Sequence, residues 1–199
     1  MRISNCIAII DDHLSEEFCI DLIRLHASNK EDQYQGIVSS GVSKSQKNTK
    51  DLDITDHVLA TEYSELCTRG IKMYLSKLTE HFDYDWETVV FNSFEVAYTF
   101  TKIGKYKKND GHYRAIHQER DGSPKYNRMF VCMSYLNDVF VGGETMFHAF
   151  DMKVTPKRGT MLIWPAGMPY FHSGLTPISN DKYIITNWLE QVDPRIEQQ

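Results

Sequence analysis

The sequence predicts an α+β chain that is mainly β: a jelly-roll (double-stranded β-helix) barrel buttressed by N-terminal helices. Three observations lead there. Two segments near the start space their apolar residues with a helical period. After Asp85 the pattern changes to short β-rich runs separated by turn residues. The length, 199 residues, suits one domain with a core large enough to need no metal or disulfide staple. The expected division is a helical support over roughly 1–85 and a barrel core over roughly 86–190.

The elements follow in order. Cys6 to Ile10 reads as a short strand. Ser15 can cap a helix that Glu16 and Glu17 favour at its positive end, with Leu14 stapling against Cys19 and Phe18, Leu22 and Leu25 on one face. Asn29 to Asp51, rich in Lys, Ser, Asn, Gln and Asp, lacks periodicity and reads as a long loop, either a flap beside a site or a plain connection. From Asp56 to Phe82 the set Leu59, Tyr63, Leu66, Cys67, Ile71, Tyr74, Leu75, Leu78 and Phe82 marks a long support helix with Gly70 as its weak point. Eight strands are then expected: Glu87–Phe91, Phe94–Lys102, Tyr113–Glu119, Met129–Leu136, Glu144–Phe147, Thr160–Trp164, Tyr170–Leu175 and Lys182–Leu189. Gly142 and Gly143 fit a barrel corner rather than a phosphate loop.

Composition excludes several classes. A net charge of −5, from 22 basic and 27 acidic residues, gives no bulk attraction to nucleic acid or another polyanion. A mean hydropathy of −0.44 describes neither a membrane chain nor a disordered one. Asp11 and Asp12 end the first apolar run before a signal core or a membrane span could form. Cys6, Cys19, Cys67 and Cys132 form no CxxC pair and sit among apolar residues, so the reading is four reduced thiols in a cytoplasmic protein. Nothing in the sequence indicates an oligomeric state.

The chemistry is concentrated in His117-x-Glu119, His172 and Lys182. Alternate side chains of a strand share a face, so Tyr113, Ala115, His117 and Glu119 point one way and an HxE pair delivers two ligands to one point. Two histidines and one carboxylate on one side of a ferrous ion leave the other side open, the arrangement by which non-haem iron activates O₂. Lys182, Ile184, Thr186 and Trp188 share a face of the last strand. A lysine turned into a barrel among apolar residues is costly unless it meets an anion. His112 and His148 stand close enough in sequence to be rival ligands in a cupin-type metal site. Lys102, Lys105, Lys107, Lys108, Arg114, Arg120, Lys125 and Arg128, interleaved with Tyr106, Tyr113 and Tyr126, gather positive charge that could steer an acidic peptide, a nucleic acid or a small oxoacid.

Taken in order, Arg128 to Asp138 (RMFVCMSYLND), Gly142-Gly143-Glu144-Thr145 with Phe147, Pro156, Gly159, His172-Ser-Gly-x-x-Pro177 and Lys182 with Trp188 make the chain resemble the prolyl 4-hydroxylase-like 2-oxoglutarate, Fe(II)-dependent oxygenases. The resemblance runs from about Tyr106 to Leu189, and the opening IIDDHLSEEFCIDLI shares it. It implies an enzyme that hydroxylates an unactivated C–H bond, peptidyl proline first among candidates, while 2-oxoglutarate is decarboxylated to succinate. It implies Fe(II) and 2-oxoglutarate as cofactors, O₂ as cosubstrate and ascorbate as a further ligand. His117, Glu119 and His172 would hold the iron; Lys182 would pair with the distal carboxylate of 2-oxoglutarate, with Tyr106 and Thr186 beside it; Tyr113 and Trp188 would lie near the substrate. Glu119 departs from the aspartate that most of the family carries, and the Tyr113 to His117 spacing is one residue longer than in the collagen and oxygen-sensing hydroxylases. The alternatives are a jelly-roll binding module without chemistry, or an oxygenase acting on a free amino acid, a small molecule or nucleic acid. The partner expected is a peptide, protein or small-molecule substrate, with no nucleic acid and no membrane.

Overall fold

A computed structural model describes residues 1–120 and 127–192. In chain order the elements are β1 (Arg2–Ser4), β2 (Ile7–Ile10), α1 (Glu16–Ser28), β3 (Tyr34–Gln35), β4 (Ile37–Val38), β5 (Gly41–Val42), β6 (Lys47–Asn48) and β7 (Lys50–Asp53). Then come α2 (Val58–Phe82), α3 (Trp86–Asn92), β8 (Val96–Tyr106), β9 (His112–His117), β10 (Arg128–Tyr135), β11 (Thr145–Phe147), β12 (Met152–Val154), β13 (Met161–Pro165), β14 (His172–Gly174) and β15 (Lys182–Gln191).

Two antiparallel sheets carry the fold. The larger has eight strands in the order β1-β2-β13-β10-β15-β8-β7-β3, and the smaller has five in the order β12-β11-β14-β9-β6. One face of the large sheet is covered by the helices through an apolar core that includes Leu22, Tyr63, Cys67, Ile71, Leu75, Ile163, Ile185 and Leu189. Its other face turns toward the small sheet, and a second cluster with Met133, Phe147, Val154, Trp164, Ile184 and Trp188 fills part of the space between them. The mainly β sandwich with a helical buttress is the architecture that the alternation of strand runs predicts.

The helices start and pack for local reasons. Ser15 caps α1 by accepting from the Phe18 N–H at 3.1 Å, and Glu16 and Glu17 occupy its first turn. Gly70 is where α2 comes closest to the sheet: a Cβ there would lie 2.9 Å from both Ile163 Cδ1 and Met161 Sδ, so α2 gains contact with β13 at the expense of helix propensity. Gly142 and Gly143 have φ of +74° and +76°, and a Cβ on Gly142 would fall 2.5 Å from the Thr176 carbonyl. This is a glycine corner built for folding. No helix among the described residues is long and apolar enough to cross a membrane.

Three expectations are corrected. Glu87–Phe91, read as a strand for its β-branched residues, lies within α3, because Asp85 caps the turn by accepting from the Thr88 N–H at 3.0 Å and Glu87 sits in the first turn. Met152–Val154 forms a strand, β12, that the run pattern did not single out. The segment Asn29–Asp51 is not one long loop. It builds β3 to β6 and starts β7, with β6 pairing to β9 in the small sheet and β7 to β8 in the large one. Two-residue strands are too short to show alternation, and the Lys47–Asp51–Lys102 ion cluster that joins β6 and β7 to β8 is not reported by sequence periodicity.

Candidate active site

β9 and β14 are neighbours in the small sheet, and their register sets His172 opposite His117. The two imidazole centroids are consequently 4.2 Å apart. Glu119 lies past the end of β9, where its N–H donates to the Ala166 carbonyl at 3.0 Å and draws the chain toward the end of β13. Its Oε1 is 3.5 Å from His117 Nε2 and 3.3 Å from His172 Nε2. Among the described residues this trio is the one group of His, Cys, Asp or Glu side chains whose ligand atoms all lie within 4.8 Å of one another.

Each histidine is oriented by its own strand. His117 Nδ1 is 2.8 Å from the Ala115 carbonyl and His172 Nδ1 is 3.1 Å from the Tyr170 carbonyl. A carbonyl accepts only from Nδ1–H, so both rings turn an Nε2 lone pair toward Glu119. Burial, reinforced by the neighbouring His172, holds His117 below the usual imidazole range and keeps it neutral at pH 7. The other oxygen of Glu119 is fixed: Oε2 accepts from Trp188 Nε1 at 3.1 Å and from the Arg128 guanidinium at 3.3 Å. Arg128 also bonds Glu190, its partner across β10 and β15, at 3.2 Å. Two imidazole nitrogens and one carboxylate oxygen converging from one side suit a ferrous ion with open positions opposite.

The trio opens into a cavity of about 1060 Å³ between the sheets, which Lys182, Tyr106 and Thr186 also line. Lys182 is only 1% exposed, yet its Nζ donates to a neutral acceptor, the Gly143 carbonyl at 2.8 Å, and lies 4.0 Å from the Tyr106 ring centre. No described carboxylate is within ion-pair distance of it. Burial pushes its amine down to about 7, and Glu144 offsets this only in part. A buried cation without a counter-ion is what an anionic ligand would complete.

The remaining candidates fall out as follows. Tyr113 stacks on His117 at 3.8 Å and is itself capped by Lys47 Nζ at 4.8 Å. Trp188 faces the cavity, but its N–H is spent on Glu119 and its ring lies against Phe100 and the Arg128 guanidinium. His112 and His148 stand outside the trio. His112 is bonded to the Asp110 and Ser45 carbonyls, and His148 to Ser173 Oγ. The positive residues do not form one patch: Lys102 pairs with Asp51, Lys105 with Asp181, and Arg128 with Glu119 and Glu190. Lys107, Lys108, Arg114 and Arg120 are exposed, while Lys125 and Tyr126 lie outside the described residues. The sequence reading missed that Arg128 and Trp188 hold Glu119. The signal available was the charge pair Arg128 and Glu190, each one residue outside one of two runs that the fold makes neighbours.

Residues 98–190 match the family model described as 2OG-Fe(II) oxygenase superfamily. No curated protein sequence matches the chain. Among solved structures, the chain is similar to the viral collagen prolyl hydroxylase of Paramecium bursaria Chlorella virus-1 in its 2OG complex. The TM-score is 0.63 at 20% identity, over 94% of this chain and 97% of that one. A prolyl-4-hydroxylase from Pseudomonas putida aligns with TM-score 0.66 at 15% identity, over 93% and 92% of the two chains. A prolyl hydroxylase from Trichoplax adhaerens, in complex with a hypoxia-inducible factor oxygen degradation domain peptide fragment, aligns with TM-score 0.68 at 15% identity, over 94% and 84%. At such identities these likenesses establish the jelly-roll fold.

Proposed function

With residues 98–190 carrying a 2OG-Fe(II) oxygenase domain, a class that uses Fe(II), 2-oxoglutarate and O₂, we propose that this chain hydroxylates an unactivated C–H bond of a peptide, peptidyl proline foremost. In this reading His117, Glu119 and His172 bind the iron, and Lys182 pairs with the distal carboxylate of 2-oxoglutarate. The observation that carries it is Lys182: a buried ammonium without a carboxylate, in the same cavity as a three-ligand metal site. The peptide bound to the Trichoplax adhaerens hydroxylase supports the substrate class.

When bound, iron and cosubstrate supply the activation of O₂, coupled to decarboxylation of 2-oxoglutarate to succinate and CO₂. The chain's own residues do the rest. The Nδ1–H bonds to Ala115 and Tyr170 hold both imidazoles in the ligating tautomer. Trp188 and Arg128 engage Oε2 of Glu119, which fixes the end of a side chain one methylene longer than aspartate and would leave Oε1 to the metal. Tyr113 stacks on His117 and limits its rotation, while Trp164 and Phe147 pack around His172 at 5.1 and 5.7 Å and keep water from its flank. Lys182 exchanges a weak carbonyl acceptor for a carboxylate, with Tyr106 and Thr186 beside it. Ascorbate as an auxiliary ligand, a cytoplasmic location and a single 1–199 unit belong to the same proposal. Free Cys6, Cys19, Cys67 and Cys132 support a reducing compartment.

The test is succinate formation with Fe(II) and 2-oxoglutarate against proline-containing peptides, free amino acids and nucleic acids. Turnover that rises with a proline peptide is the expected result. Protein that neither binds stoichiometric iron nor consumes 2-oxoglutarate would be a binding module instead.

A further inference from the structure

A second set of charges lines the same cavity and has no place in the mechanism above. Lys47 Nζ and Lys102 Nζ both reach one oxygen, Oδ2 of Asp51, at 2.9 and 3.0 Å. The side chains of Lys47 and Asp51 are 3% and 2% exposed and that of Lys102 is 19% exposed. One buried and one half-buried cation thus share one anion. Each ammonium has three N–H donors and spends one on Asp51, and no other acceptor stands within hydrogen-bond reach of either among the described residues. Burial, then repulsion from Lys102, pushes Lys47 down to about 8.

Both ammoniums are one aromatic ring from the metal trio. Lys47 lies over Tyr113, which stacks on His117. Lys102 lies 5.9 Å from the Trp188 ring centre, and Trp188 donates to Glu119. A purely structural clasp between β6, β7 and β8 would need one lysine per carboxylate. The second cation adds a desolvation cost that a single shared carboxylate has to offset, and both lysines line the cavity where a reacting molecule would sit.

We infer that Lys47 and Lys102, held by Asp51, form an anion subsite for a carboxylate carried by the molecule being oxidised, distinct from the Lys182 position. This rests on the oxygenase reading and narrows it to acidic substrates. The carboxylate belongs either to an acidic residue next to the oxidised one or to the α-carboxyl of a free amino acid.

The experiment compares carboxylate with carboxamide probes: N-acetyl-Pro-Glu-amide against N-acetyl-Pro-Gln-amide, and L-proline against L-prolinamide. Binding is read by calorimetry on protein loaded with Zn(II) and 2-oxoglutarate, and turnover by succinate release with Fe(II). A charge-assisted hydrogen bond predicts a preference on the order of tenfold or more for the carboxylate in one of the two pairs, and the pair that shows it identifies the source. Lys102→Gln should reduce that preference to about twofold or less, and Lys102→Arg should restore it. A 2-oxoglutarate affinity that falls with Lys102→Gln as far as with Lys182→Gln would assign the cluster to the cosubstrate and overturn the inference. Equal binding of carboxylate and carboxamide in both pairs would also overturn it. Loss of succinate release with the calorimetric preference intact would refute the oxygenase reading alone.

Discussion

The two faces of the large sheet follow opposite rules, and β15 serves both. Ile185 and Leu189 point into the helix-side core, where Leu22, Cys67, Ile71 and Ile163 are fully buried. The Tyr63 hydroxyl set deep among them is satisfied by Ser134 Oγ at 3.0 Å. Lys182, Ile184, Thr186 and Trp188 point the other way, into a cavity with a buried lysine bonded only to a carbonyl and two lysines on one carboxylate. The first face is closed packing that gains from every methylene. The second holds lysines whose acceptors are a carbonyl and one shared carboxylate, so closed packing and the polar cavity are separated by one residue along the same strand.

Substitutions can break that separation or sharpen it. The largest effect is expected from His172→Ala, which should abolish both stoichiometric iron binding and iron-dependent succinate formation while leaving the thermal transition in place; metal analysis and a succinate assay check both. Ile71→Ala on the opposite face should do the reverse. It should cost about 2–5 kcal/mol in denaturant unfolding, with iron stoichiometry of the folded protein unchanged.

Lys182 gives a pH-dependent test. Its amine is pushed down to about 7 from an ordinary 10.5 by burial, so the unfolded chain binds the extra proton between those values. The cost to folding is full below pH 7 and fades as pH rises toward 10.5. On the proposed pairing of the Lys182 ammonium with 2-oxoglutarate, the affinity for that anion should fall about tenfold per pH unit above 7, with proton uptake on binding; calorimetry in buffers of different ionisation heat measures both. Lys182→Met should remove this dependence along with most of the affinity, and should raise ligand-free stability at pH 7 by on the order of 1 kcal/mol. The smallest effect is expected from Trp188→Phe. It keeps the ring and deletes the donor to Glu119, and should weaken iron binding by about tenfold, read by competition with a chelator.

How much of this was legible in the sequence depended on the range of the interaction. The strand alternation that puts Lys182, Ile184, Thr186 and Trp188 on one face, and the Ser15 cap, are local rules and could be read directly. The HxE pair and His172 were legible as ligand types, and their meeting required the β9 to β14 register that only the fold supplies. The segment from Tyr34 to Asp53 was opaque. Its strands β6 and β7 are tied to β8 through Lys47, Asp51 and Lys102, and the Asp51–Lys102 pair is 51 residues apart and leaves no periodic trace. α3 was opaque for the opposite reason: Val89, Val90 and Phe91 look like a strand, and the single Asp85 cap outweighed them.

The ribbon of β4 and β5 pairs only with itself, Ile37 with Val42 and Val38 with Gly41, while β3, β6 and β7 on either side are anchored to the sheets. Ile37, Val38 and Ser39 nevertheless border the cavity mouth. Insertions or deletions at Ser39–Ser40 would leave the hydrogen bonds of the eight- and five-stranded sheets in place. Lineages could therefore vary this ribbon to change which molecules enter, with the barrel and its ligands inherited intact.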